Sequence, residues 1–154
     1  MEDVNRRSAL SLGLVGALAP LLASSSPARA QGLGDWVPNY SPNDGEDIGG
    51  GRRVVQIGEV ESQMSAYSKI QIIDIVVQPG GGDPAPEVMD MDMICFIIAG
   101  SFRIEKEGLE PYEVHAGDYY TCGIGKTDFA TNIGDTIGIH RIALLVPADG
   151  TMDG

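Results

Sequence analysis

Between Glu87 and Ile97 the chain reads EVMDMDMICFI, with its chemistry-bearing residues on alternate positions. Successive side chains of an extended strand point to opposite faces. Glu87, Met89, Met91, Met93, Cys95 and Ile97 therefore share one face, and Val88, Asp90, Asp92, Ile94 and Phe96 share the other. The Asp-x-Asp pattern is thus turned away from the methionines and makes no acidic metal loop. A methionine stripe most simply fills a core, because flexible thioethers pack irregular gaps. The same atoms are soft donors, so Met89, Met91, Met93 and Cys95 form a candidate copper(I) set.

Other polar residues offer less. His140 and Arg141 are consecutive in an apolar run, so only one of them faces an interior. His140 reads as a structural histidine, a displaced metal ligand or a proton carrier. Tyr119 and Tyr120 alternate likewise, and Tyr120 joins Met91 and Cys95 as a candidate pocket residue. His115, beside Ala116-Gly117, reads as solvated, and Lys126 as one half of a surface ion pair with Asp128, worth little. No nucleophile stands at credible spacing from a base, and no phosphate-binding loop is present.

The elements that must position these residues are short β-branched and aromatic runs separated by turns. Strands are expected over 53–57, 68–78, 91–99, 101–105, 112–115, 118–122, 130–132 and 137–146. Gly100 separates two of them by one residue, the signature of a tight hairpin with positive φ. Residues 61–67 could form a single helical turn, and no longer helical period occurs beyond residue 30. Residues 31–51, with Pro38, Pro42 and Gly49-Gly50-Gly51, read as an irregular arm that Trp36 and Tyr40 could tack onto a sheet or a second subunit. The domain proper then spans 52–148, with a tail at 149–154. The class is all-β, a sandwich or barrel.

From Pro79 to Val146 the turn spacing resembles the cupin superfamily. Its first motif is met by Gly81, five residues, Glu87-Val88-Met89, three residues, Met93, six residues and Gly100. Its second is met by Gly117, five residues, Gly123-Ile124-Gly125, two residues, Asp128, three residues and Asn132. The resemblance implies a double-stranded β-helix, or jelly-roll barrel, of short antiparallel strands. In metal-binding cupins three histidines and a glutamate converge in the barrel, and those places fall here on Glu87, Met89, Met93 and Asp128. No histidine stands at any of them, and thioethers suit hard divalent ions poorly.

Three functions are expected from these residues. The barrel binds a small molecule without the usual histidine-held metal. Alternatively it is an isomerase-, lyase- or oxygenase-like enzyme in which Glu87 and Asp128 act as acid–base groups or metal ligands, with His140 a further catalytic candidate. The third is the copper set. The cofactor is accordingly none or a single metal ion. The resemblance also implies a homodimer, for which outward Ile94 and Phe96 would serve.

Residues 1–30 read as a cleavable export leader. Arg6-Arg7 supply the positive start, an apolar run extends from Ala9 to Ala23, and Ala28-Arg29-Ala30 is a small-x-small cleavage pattern that leaves Gln31 first. Asn5-Arg6-Arg7-Ser8-Ala9-Leu10 resembles the twin-arginine motif, with Asn before the pair and Ala at the usual aromatic place; an ordinary secretory signal stays open. The expected location is periplasmic or secreted, with no membrane anchor after cleavage. Removing the leader takes the net charge from −12 to −13, since 7 basic and 20 acidic residues remain. Scattered Lys and Arg on so acidic a chain exclude a phosphate-binding surface and hence nucleic acid. Cys95 and Cys122 would meet an oxidising compartment, where they either pair or stay buried as thiols.

Overall fold

The computed structural model describes residues 37–148. The expected leader, Trp36 and the tail lie outside them. The chain divides into two units, and every described strand belongs to the second, which begins at Asn39.

Ten strands form among the described residues, all paired antiparallel. They are β1 (Glu46–Gly49), β2 (Arg52–Glu61), β3 (Tyr67–Val77), β4 (Glu87–Val88), β5 (Asp92–Ala99), β6 (Ser101–Lys106), β7 (Tyr112–His115), β8 (Tyr119–Cys122), β9 (Thr127–Asn132) and β10 (Gly138–Pro147). They make a six-stranded sheet ordered β1-β2-β3-β10-β5-β8 and a four-stranded sheet ordered β4-β9-β6-β7. From β4 onward the chain passes repeatedly between the two sheets, leaving their inner faces opposed. Ile73, Ile75, Val77, Cys95, Ile97, Phe102, Ile104, Val114 and Tyr120 form the buried core between them.

Three expectations are corrected. The arm is not irregular throughout, because residues 46–49 pair with β2 through Glu46↔Val54 and Asp47↔Arg53. No helical turn forms at 61–67: Glu61 ends β2, Tyr67 begins β3, and a turn closed by Tyr67 N–H on the Met64 carbonyl joins them. Gly100 has the expected positive φ of 85° but joins no hairpin. Strand β5 lies in the larger sheet and β6 in the smaller, so Gly100 is a corner; a Cβ there would stand 2.8 Å from Gly138 Cα.

Strand β10 lies between β3 and β5 and is the spine of the larger sheet. Its register sets Arg141 opposite Asp74 on one side and Phe96 on the other. The Arg141 guanidinium donates twice to Asp74, Nε to Oδ1 at 2.7 Å and Nη2 to Oδ2 at 2.8 Å. Tyr40 Oη donates to Asp74 Oδ2 at 2.8 Å, which tacks the arm onto this sheet. Asp74 is completely buried although it lies on the outer side. Breaking a buried pair by removing one member strands the other charge, at a cost of about 3 kcal/mol or more. Asp74→Ala is therefore expected to lower the unfolding free energy in urea by about 3 kcal/mol. The apolar double replacement Asp74→Leu with Arg141→Met should recover most of that; a loss equal to the single variant's would contradict the assignment.

Candidate functional site

The opposed sheets enclose a cavity of about 200 Å³. Alternation along three neighbouring strands supplies its apolar wall: Ile73, Ile75 and Val77 from β3, Ile142 and Leu144 from β10, and Met93 and Cys95 from β5. Strands β4, β8 and β9 bring in Glu87, Tyr120 and Asp128 with Ala130, and the residue after β4 brings in Met89. Arg52 of β2, Asp83 of the loop before β4 and His140 of β10 complete the polar lining.

Glu87 and Asp128 are register partners across β4 and β9. Directly opposed antiparallel residues hold their Cβ atoms within about 5.5 Å, and both residues line the cavity. Their surroundings differ: Glu87 is exposed, whereas Asp128 is buried. Burial raises the Asp128 pKa above the ordinary carboxylate value, opposed by nearby Lys106 and by the Phe129 N–H, which donates to Oδ1 at 2.9 Å.

Asp83 and Arg52 were not anticipated. Asp83 Oδ2 accepts from the Ala130 N–H at 2.6 Å, its own N–H donates to the Ala130 carbonyl at 3.0 Å, and Oδ1 accepts from Arg52. Burial raises the Asp83 pKa against the pull of the Ala130 N–H and Arg52. In the sequence Asp83 sits in Gly-Gly-Asp-Pro, which reads as a turn, and nothing local marks it as facing a barrel.

Tyr120 and His140 stand deeper, 8% and 6% exposed, with ring centroids 5.4 Å apart. Neither Tyr120 Oη nor His140 Nε2 has a hydrogen-bond partner. The Cys95 thiol is close enough to Tyr120 to affect its ionisation, but the contact lacks hydrogen-bond geometry. Burial holds Tyr120 well above 10, pushes Cys95 up to about 12, and lowers His140 to about 4. All three are neutral across the physiological range. Lys106 Nζ lies 4.5 Å over the Tyr120 ring, a cation–π contact, and donates to the Thr121 carbonyl.

The expected stripe is thus mostly together. Glu87, Met89, Met93 and Cys95 all line the cavity, as do Asp128, Tyr120 and His140. Met91 does not, which corrects its assignment to the pocket and splits the copper set. The physical reason is that the stripe is two strands and not one: β4 and β5 belong to different sheets, and residues 89–91 carry the crossing. Met89 N–H donates to the Lys126 carbonyl and Gly125 N–H to the Met89 carbonyl, so Met89 is fastened to the turn before β9 while Met91 is not. Tyr119 is 70% exposed, Phe96 is exposed beside it, and Ile94 is half-buried on the outer face. His115 is exposed, with Nδ1 2.9 Å from Ser101 Oγ. The cation beside Asp128 is its register partner Lys106, not exposed Lys126. Cys95 and Cys122 are both free and buried.

The architecture matches solved proteins. An RmlC-like cupin from Shewanella frigidimarina superposes with a TM-score of 0.52 at 21% identity, covering 68% of this chain and 84% of that one. A Cupin 2 conserved barrel domain protein from Salinispora arenicola gives 0.53 at 17%, covering 75% and 92%. An RmlC-like cupin family protein from Methanocaldococcus jannaschii, described as a double-stranded β-helix, gives 0.52 at 17%, covering 71% and 88%. The fold is the cupin double-stranded β-helix. Such identities speak to the fold alone. No protein-family model matches the sequence, and no curated protein matches it.

The cupin frame invites a test for a metal. The four residues that the motif resemblance sets at its ligand places are exposed Glu87, the thioethers of Met89 and Met93, and buried Asp128, whose burial favours the protonated form. Among the described residues no group of three His, Cys, Asp or Glu side chains stands together in a way that could hold an ion. This donor set does not fit a hard divalent ion. The soft set is reduced to Met89 and Met93, since Met91 is outside the cavity and the Cys95 thiol is held protonated.

A neutral buried imidazole links stability to pH. The His140 pKa falls from 6.5 unfolded to about 4 folded. Its contribution is fully present above pH 6.5 and is lost as pH falls toward 4. Between pH 7 and about 4.5 the native chain should therefore lose roughly 2 to 3 kcal/mol more than His140→Leu does, measured by urea denaturation at both pH values. Equal losses would show that His140 is not held neutral.

Proposed function

We propose that this chain is an exported binding protein that holds a small, uncharged, largely apolar molecule inside its barrel without a histidine-held metal. One observation carries the reading: apolar walls from three adjacent strands meet a few convergent polar groups in one cavity, the usual composition of a small-molecule site. At about 200 Å³ it is smaller than most such sites, which run to roughly 300–1,000 Å³. A cavity of about 150 Å³ accommodates benzene, so the ligand is about one ring in size. Charge excludes an anion. Asp83, Glu87 and Asp128 line the cavity against a single guanidinium, Arg52, which is already paired with Asp83.

Export is supported by the leader reading of residues 1–30, and sequencing of the exported protein should begin at Gln31. Binding is tested with toluene. Saturable shifts of the Ile75 and Met93 methyl resonances are expected, unchanged by chelator treatment, and Ala130→Leu, which fills the cavity, should abolish them. Absence of saturation, or shifts elsewhere on the protein, would defeat the proposal.

A further inference from the structure

Two buried polar atoms of the cavity-lining residues have no hydrogen-bond partner. Tyr120 Oη and His140 Nε2 are shut off from solvent and have no partner, and both side chains are more than nine-tenths buried in its lining. Leaving a buried polar group unpaired is costly, and native proteins seldom do so without a reason. We propose that Tyr120 and His140 together hold a hydroxyl oxygen, so that the ligand is a ring-sized alcohol or phenol. This rests on the cavity being a binding site.

The chemistry of the two groups selects the hydroxyl. Burial keeps both neutral at physiological pH, so neither presents a charge for a carboxylate or an amine. Tyr120 offers an O–H to donate, and Nε2 of a neutral imidazole either accepts or donates according to its tautomer. A hydroxyl oxygen accepts from Tyr120 in both cases; it donates to Nε2 in one tautomer and accepts from it in the other. A carbonyl oxygen serves only the second. The Cys95 thiol beside Tyr120 does not meet its hydroxyl in hydrogen-bond geometry and so does not satisfy it. Ile75, Met93 and Leu144 remain to pack the ring. A trapped water is the competing occupant.

Phenol and toluene, close in size, separate these cases by calorimetric titration of the full mature chain. An unspecific apolar cavity favours toluene, because phenol must shed water from its hydroxyl. The expected result is phenol binding at least about tenfold more tightly than toluene. In Tyr120→Phe that preference should fall to less than about threefold, and saturable toluene binding by the variant shows that it folds. If toluene saturates the native chain and phenol binds no better, the hydroxyl assignment is overturned, water is the occupant, and the binding cavity survives. If neither probe binds, both readings fail.

Discussion

The bidentate pair between Arg141 and Asp74 is the interaction on which the rest depends. His140 and Arg141 are neighbours in β10, and strand geometry sends one inward and the other outward. A slip of one residue would exchange them and turn the apolar set of β10 out of the core. By meeting both carboxylate oxygens of Asp74, in the facing position on β3, Arg141 fixes which way the strand sits. His140, Ile142 and Leu144 are thereby committed to the cavity. Gly138, where β10 begins, adds a steric stop: a Cβ there would lie 2.5 Å from Phe102 Cζ, so the strand enters only with glycine against that ring.

Once the register is set, burial governs the chemistry. The same low-polarity surroundings raise Asp128, Asp83, Cys95 and Tyr120 and lower His140. Each shift favours the neutral form, which is what desolvation does to acids and bases alike. The deep end of the cavity therefore presents the neutral groups of Tyr120, His140 and Cys95, while the Arg52–Asp83 ion pair also lines it. Asn132 shows the structural side of the cupin frame. Its side-chain amide donates to the carbonyls of Val77, Gln78 and Thr136 and its oxygen accepts from Gly134 N–H, tying β9 to the ends of β3 and the turn before β10. Asn132 thus serves the fold, holding three chain segments together beside the cavity.

The strands were legible because period 2 and β-branched runs leave a mark in any single sequence. The long β3 run, Tyr67–Val77, and β10 both fall within one or two residues of expectation. The inward parity of Glu87, Met89, Met93 and Cys95 was legible for the same reason. Met91 was not, because alternation says nothing about where one strand ends and another sheet begins. Gly100 shows the same gap: positive φ was readable, but whether the chain turned back or turned a corner depended on pairing partners far away in sequence. Arg52 and Asp83 were invisible for a related reason, being brought to the cavity by β2–β3 pairing and by the clasp on Ala130.

The most direct measurement is a crystal structure of the processed chain under xenon pressure. Xenon density within contact of Ile75, Met93 and Leu144, with the His140 ring inside the barrel and Arg141 on Asp74 outside it, is the predicted result. A collapsed interior without xenon, or Arg141 turned inward in place of His140, would contradict it.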